Sequence, residues 1–367
     1  MSIRSKNEKI KRKYLKWLRE AEGLSEATIT GVERAVGLYE EYSQDQDFAS
    51  FSQKKAVGFK LWLQERSRGG ATVSITTVYN QIRYVKAFFT WLAGQPGYKS
   101  RIGLDAVSYL TLERKKVREA TAAKPVKFPS LEYVRQLTDS IKPSTEVARR
   151  DRALIAFLLV SGMRDQAVAS LPLGCFDREA LVVHQDPKRG VSTKFSKSIR
   201  TLLFNFDGKL TQYVVSWAEY LETVRLFSPA DPLFPRSRVE QRDGGLTFTV
   251  TGVEPVFWKS TNSIRKILRE RAIVAGLECF NPHAFRHAAV HIAMKFCTSA
   301  EQMKAVSQNL GHEHIATTVM TYGTLDSSRV QEVVGRMDFS TDPSKVNRDK
   351  TLDAAIRALT SLKGTGK

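Results

Sequence analysis

The stretch NPHAFRHAAVHIAMKFCTSAEQMKAVSQNLGHEHIATTVMTYG, residues 281–323, decides the fold. It reads as two helices, 284–296 and 300–309, followed by a glycine turn and a tyrosine. His283 and Arg286 are three apart, so on a helix they share a face. A guanidinium forks onto two phosphate oxygens, and an imidazole accepts or gives a proton near neutral pH. Together the pair suits a phosphate; alone it is an ordinary surface His and Arg. In Leu310-Gly311-His312 the glycine fits a helix C-terminus or a tight turn. Thr317-Thr318 and Tyr322-Gly323 follow, with Tyr322 ten residues after His312. A phenol has a pKa of about 10, so a tyrosine needs help to attack, and a lone tyrosine is more often a packing residue. His287 and His291 have a metal-ligand spacing, but no third ligand accompanies them and no metal site is expected.

Towards the N-terminus, an apolar helix over 147–163 ends at Ser161-Gly162-Met163-Arg164. Segments 180–185 and 199–206 are rich in Val, Leu, Ile, Thr and Phe and read as strands. A basic hairpin over 186–198 joins them, carrying Lys188, Arg189, Lys194 and Lys197, with Arg200 just beyond. Ser130 caps a helix over 131–141, and further helices are expected at 209–227 and 260–275. The stretch 229–256 reads as irregular and partly stranded. Asp342-Pro343 breaks the chain before a tail, where Leu352, Ile356 and Leu359 suggest a short amphipathic helix.

Residues 25–110 read as all-helical. Ser25 caps a helix carrying Val32, Val36, Tyr39 and Tyr42, and a second is centred on Val57, Leu61 and Trp62. The third is the clearest, with Val78, Ile82, Val85, Phe89 and Leu92 on one stripe and Arg83 and Lys86 off it. Gly94, Pro96 and Gly97 end it. Near the start of the chain, Ile10, Tyr14, Trp17 and Leu18 lie on one helical face among lysines and arginines. This predicts a short helix against DNA or against the domain surface. Residues 111–127 contain Arg114, Lys115, Lys116, Arg118, Lys124 and Lys127 and read as an extended basic linker.

Lys+Arg total 57 against 38 Asp+Glu in 367 residues, a formal net charge of +19. A field of that sign favours a polyanion, with nucleic acid the leading partner because cations that neutralise phosphates release counterions. At 42% hydrophobic and 10% aromatic the chain is an ordered globular protein, not a disordered one. Three cysteines, Cys175, Cys279 and Cys297, form no disulfide framework and no zinc knuckle, which fits a reducing compartment. The apolar run 153–160 is too short to span a bilayer, and no secretory signal is visible.

The ordered set Arg164, a hairpin lysine, His283-x-x-Arg286, Leu310-Gly311-His312 and Tyr322 resembles the tyrosine recombinase (phage integrase) family over about residues 25–330. The resemblance implies a mainly α fold with a small β-sheet (α+β): a helical core-binding domain and a mixed catalytic domain that clamp duplex DNA as a C. The expected layout is a basic segment 1–22, a core-binding domain 23–110, the linker 111–127, a catalytic domain 128–337 and a tail 338–367 that docks on a neighbouring protomer or packs on its own domain.

The family's roles fall on matching positions. The resemblance implies that Arg164 and Arg286 would hold the scissile phosphate, that His283 would help take the proton from Tyr322, and that His312 would hydrogen-bond the phosphate. On the same resemblance Tyr322 would form a 3′-phosphotyrosyl link, and a hairpin lysine would protonate the departing 5′-oxygen. Lys194, followed by Phe195-Ser196-Lys197 and Arg200, matches the hairpin best; Lys188 is the alternative. Two departures stand out. Ala167 occupies a position where the family commonly carries an acid, while Asp165 follows Arg164 directly, and the hairpin is longer than usual.

The implied activity is site-specific recombination without metal, ATP or other cofactor, for integration or excision of a mobile element. Expected partners are double-stranded recombination sites, three further copies in a tetramer on DNA, and accessory DNA-bending or directionality proteins, with no membrane. A cytoplasmic, nucleoid-associated place in a bacterial type of cell goes with this. Competing readings are a type IB topoisomerase, a DNA-binding regulator that has lost catalysis, and a metal-dependent nuclease, the last lacking clustered carboxylates near these motifs.

Overall fold

A computed structural model of the protein describes residues 3–68, 70–122, 126–241 and 248–312, together with Gln331. The chain divides into two compact units, Met1–Lys124 and Pro125–Lys367. It is mainly helical, with small antiparallel sheets.

The first unit runs α1 (Ile3–Glu20), α2 (Glu26–Ser43), α3 (Gln53–Glu65), a short hairpin of β1 (Ser67–Arg68) and β2 (Ala71–Thr72), α4 (Ile75–Ala93), α5 (Leu104–Ser108) and α6 (Arg114–Thr121). Ser25, Ser52 and Ser74 start α2, α3 and α4 by accepting from the N–H groups of Thr28, Lys55 and Thr77. The core is rich in aromatic rings: Tyr39 meets Phe89 edge-on at 4.8 Å and Phe59 at 5.2 Å. The stripe read on α4 is buried throughout. α1 packs into this core through Tyr14 and Leu18, so it is part of the bundle rather than an appended segment. Its Lys11 is buried too, with Nζ 2.8 Å from Glu40 Oε2 and a second contact to Glu8.

Two expectations for this unit need correction. α3 turns Ala56, Phe59 and Leu63 inward, while Val57 and Leu61 are exposed and Trp62 packs at the margin on Tyr42 and Phe59. The large ring of Phe59 decides the face: it fits between Tyr39 and Tyr42, which no rotation favouring Val57 and Leu61 allows. Nor is the basic stretch 111–127 extended throughout. Over Arg114–Thr121 it holds no proline or glycine and forms α6 from Arg, Lys, Glu and Ala. α6 lies on α4, burying Ala120, whose carbonyl accepts from Thr76 Oγ1 at 3.1 Å. Arg114, Lys115 and Arg118 stay exposed on its other side.

The second unit runs α7 (Leu131–Asp139), α8 (Glu146–Ser161), α9 (Asp165–Ala169), β3 (Phe176–Asp177), β4 (Val182–Gln185), β5 (Ile199–Leu202), α10 (Gly208–Thr223), β6 (Arg236–Gln241), β7 (Phe248–Glu254), α11 (Asn262–Val274), α12 (Pro282–Lys295) and α13 (Ala300–Asn309). α8 is its central rod. Every residue from Ala153 to Val160 is buried, because α7, α10 and α12 pack around it. Buried Asp151 on α8 takes Arg150 through Oδ1 at 2.7 Å and Arg271 of α11 through Oδ2 at 2.6 Å. β3, β4 and β5 form one antiparallel sheet in that order, with Val183 opposite Thr201 and Gln185 opposite Ile199. The stretch read as irregular and partly stranded holds the antiparallel pair β6–β7. No described helix is long and apolar enough to cross a membrane.

Candidate active site

α8 stops at Gly162, which takes φ +58°, a left-handed conformation that a side chain makes costly. Space is short as well: a Cβ there would sit 2.8 Å from Leu310 Cδ2 and 3.3 Å from Ala289 Cβ. α12 begins with Asn281, whose side chain accepts from Ala284 N–H, and with Pro282 in the first turn. One turn in, Arg286 is 2% exposed and reaches back under the end of α8. Its Nη1 donates to Gly162 O at 2.7 Å, and its Nη2 donates to Leu310 O at 3.0 Å and to His312 Nε2 at 2.8 Å. One guanidinium therefore joins three motifs that lie far apart in the chain.

A guanidinium only donates, so His312 Nε2 must accept, and the imidazole proton sits on Nδ1. None of these three partners carries a negative charge, so none of the three itself offsets the Arg286 cation. The imidazoles register it. Burial, with the Arg286 and Arg164 cations, pushes His312 down to about 4. Burial, His283 and Arg286 do the same to His287, also down to about 4. His283, more open to solvent, is held below the ordinary histidine range by partial desolvation and by Arg286 and Arg164, with Asp165 pulling the other way. Such a pocket disfavours further positive charge and favours an anion.

Arg164 is half-buried at the N-cap of α9, close enough to act on His283 and His312. The Asp165 carboxylate reaches Arg265 Nη2 of α11 at 3.3 Å, while Ala167 is buried in the core. The structure thus brings Arg164, His283, Arg286 and His312 to one place.

Lys194 and Lys188 lie on the exposed surface of the hairpin. Lys194 is exposed, with Nζ 4.9 Å from the ring centroid of Phe195. Lys188 is also exposed, in a turn where its N–H donates to Asp186 Oδ1. The hairpin itself is anchored near the site on both sides. Ser192 N–H donates to Ser170 Oγ, at the end of α9, at 2.8 Å. Ile199, opening β5, presses on Gly311, where a Cβ would collide with Ile199 Cδ1. Gly311 takes φ +74°, so both its conformation and its surroundings require glycine. Sequence patterns read Gly162 only as a turn and passed over Ser170; a serine after a short helix has no distinguishing signal.

Tyr322 lies outside the described residues, as do Thr317, Thr318 and the tail 338–367. His287 meets His283 edge-on and His291 packs on Phe128. Among the described residues there is no group of three or more His, Cys, Asp or Glu placed to hold a metal ion.

Residues 130–329 match the model of the phage integrase family. Tyrosine recombinase XerD of Oceanobacillus iheyensis is 22% identical over 332 residues, spanning 87% of this chain and 95% of that protein. XerD of Haemophilus ducreyi is 23% identical over 240 residues, 60% of this chain and 71% of that protein. Among solved structures, the Tn1549 transposon integrase in complex with a circular intermediate DNA superposes with a TM-score of 0.58 at 15% identity, covering 90% of this chain and 99% of that one. A lambda integrase dimer bound to a COC′ core site gives 0.58 at 12% identity, covering 92% and 80%. These structural likenesses establish the fold.

Proposed function

The chain belongs to the phage integrase family, the tyrosine recombinases, and on that premise we propose that it cuts and rejoins duplex DNA at specific sites through a 3′-phosphotyrosyl intermediate on Tyr322. Integration or excision of a mobile element is the setting that suits this activity. The convergence of Arg286 on Gly162, Leu310 and His312, beside Arg164, carries the proposal. It builds a desolvated cationic pocket from the motifs that a phosphoryl-transfer site needs.

Arg164 and Arg286 bind the non-bridging oxygens of the scissile phosphate and stabilise the charge that grows on them in the pentavalent transition state. His312, its proton on Nδ1, is a neutral donor to the same phosphate. His283, kept neutral at physiological pH, accepts the phenol proton as Tyr322 O attacks phosphorus. The bond from phosphorus to the 5′-oxygen breaks, and Lys194 gives that oxygen its proton. A 5′-hydroxyl from the same or another strand reverses the sequence and releases the tyrosine. Exchange between two sites takes four cleavages, so the working form is a tetramer on DNA, with accessory DNA-bending or directionality proteins as further partners.

Covalent trapping tests the proposal. Nicked duplexes from the ends of the protein's own genetic element are mixed with the full chain without added metal and quenched in detergent. A protein–DNA adduct mapped to Tyr322, and lost in Tyr322→Phe, is the expected result. Tight binding without an adduct across many duplexes would favour a regulatory DNA-binding protein. Metal-dependent cutting that survives Tyr322→Phe would sink the assignment.

A further inference from the structure

Among the described residues β5 is the last strand of its sheet, with β4 on one side and no strand on the other. At Leu202 that outer edge is closed by a side chain. Asn309, the last residue of α13, accepts from Leu202 N–H through Oδ1 at 2.7 Å and donates through Nδ2 to Leu202 O at 2.9 Å. The amide copies the donor and acceptor pair that a neighbouring strand would offer. Both ends are matched in only one orientation, which fixes the amide flip. The backbone of Asn309 adds a third tie: its carbonyl accepts from Thr201 Oγ1 at 2.9 Å. Thr201 Oγ1 in turn accepts from Gln185 Nε2 of β4 at 2.7 Å, so the tie extends across the hairpin.

What lies on either side of this clamp gives it meaning. One residue after Asn309 comes Leu310, whose carbonyl holds Arg286, and three after it comes His312. Five residues before β5 comes Lys194, on a tip that Thr193 Oγ1 stabilises by donating to Lys197 O at 2.7 Å. An exposed tip has to be carried by a rigid base if its lysine is to meet a phosphate held elsewhere. We propose that Asn309 is a positioning residue, which sets the hairpin bearing the general-acid lysine against the Arg286–His312 phosphate pocket. The proposal rests on the roles given above to Lys194 and to that pocket. Asn309 itself touches neither phosphate nor leaving group; it acts through β5.

The discriminating probe is the leaving group. An alcohol needs its proton as the bond breaks, whereas a thiol has a pKa of about 8.5, so a thiolate departs without one. Two nicked duplexes are compared, both carrying the cleavage site mapped by trapping on Tyr322, one with the natural 5′-bridging oxygen and one with sulfur there. Asn309→Ala in the full chain is expected to slow adduct formation on the oxygen duplex by about 10- to 100-fold, as for a catalytic group displaced by about 1 Å. On the sulfur duplex it is expected to come within about threefold of the unmodified protein, following Lys194→Ala, because general-acid catalysis is no longer needed. Rescue by sulfur also shows that the variant is folded and binds DNA.

If Lys194→Ala is rescued by sulfur and Asn309→Ala is equally slow on both duplexes, the clamp acts on folding or phosphate binding and the proposal is overturned. Wild-type speed of Asn309→Ala on oxygen also overturns it. If Lys194→Ala cuts the oxygen duplex normally, the lysine assignment falls and the Asn309 proposal falls with it. If the unmodified protein cuts neither duplex, the recombinase reading fails first.

Discussion

Replacing Gly162 by alanine perturbs the joint between α8 and the Arg286 pocket with a single carbon. Holding a residue with a Cβ at φ +58° costs about 1–2 kcal/mol. The added carbon sits 2.8 Å from Leu310 Cδ2 and 3.3 Å from Ala289 Cβ, so Leu310 must give way; overpacking of this kind costs about 1–3 kcal/mol. Restricting the unfolded chain returns about 0.4–1 kcal/mol. A net loss of about 1–4.6 kcal/mol remains. Leu310→Ala removes the atom that is struck. In that background Gly162→Ala should cost only the conformational part less the same return, about 0–1.6 kcal/mol, leaving a coupling of about 1–3 kcal/mol between the two sites. Hydrogen exchange of α8 amides at increasing urea reads the opening free energy of this region in the full chain, whatever the first unit does. Equal cost of Gly162→Ala in both backgrounds would refute the steric argument. No cost in either would refute the conformational one as well.

Acid should weaken the second unit. His287 and His312 protonate near 4 when folded but near about 6.5 when unfolded, so the unfolded state binds more protons between those values. Stability is therefore full above about pH 6.5 and falls as pH drops towards 4; greater protection of α8 and α12 amides at pH 5 than at pH 7.5, after correction for intrinsic exchange, would contradict this. In the first unit, Lys11→Met strands the Glu40 carboxylate, whose side chain is only 11% exposed, and should cost about 3–5 kcal/mol. Lys11→Met with Glu40→Leu should recover most of that loss in chemical denaturation, and an unchanged midpoint for the single variant would exclude a structural role for the pair.

Much of the architecture was legible because long amphipathic helices announce themselves. The stripe on α4, the caps at Ser25 and Ser130, and α13 all follow from period and capping alone. The face of α3 was misread because Val57 and Leu61 fit a helical stripe as well as Ala56, Phe59 and Leu63 do, and only tertiary packing of Phe59 breaks the tie. α6 was hidden because a run of lysines and arginines looks the same in a linker and on the outer side of a helix. At the candidate site, residue types and order pointed to Arg164, His283, Arg286 and His312, which meet in space. Their supports were not legible. The acceptors of Arg286 are main-chain carbonyls, and Asn309 closes a sheet edge more than a hundred residues away in the chain. No one-dimensional pattern marks either.

Arg286 also bears on how far such a protein can drift in sequence. Two of the three partners described for it are peptide oxygens, which every residue type supplies, so that part of the grip does not depend on which side chain fills the place of Leu310. Exchanging Leu310 for another aliphatic residue alters packing yet leaves the acceptor in place. Constraint is concentrated instead on two glycines, one imidazole and the arginine itself. A pocket held by main chain lets most of its surroundings be rewritten, so distant sequences can share it with little else in common.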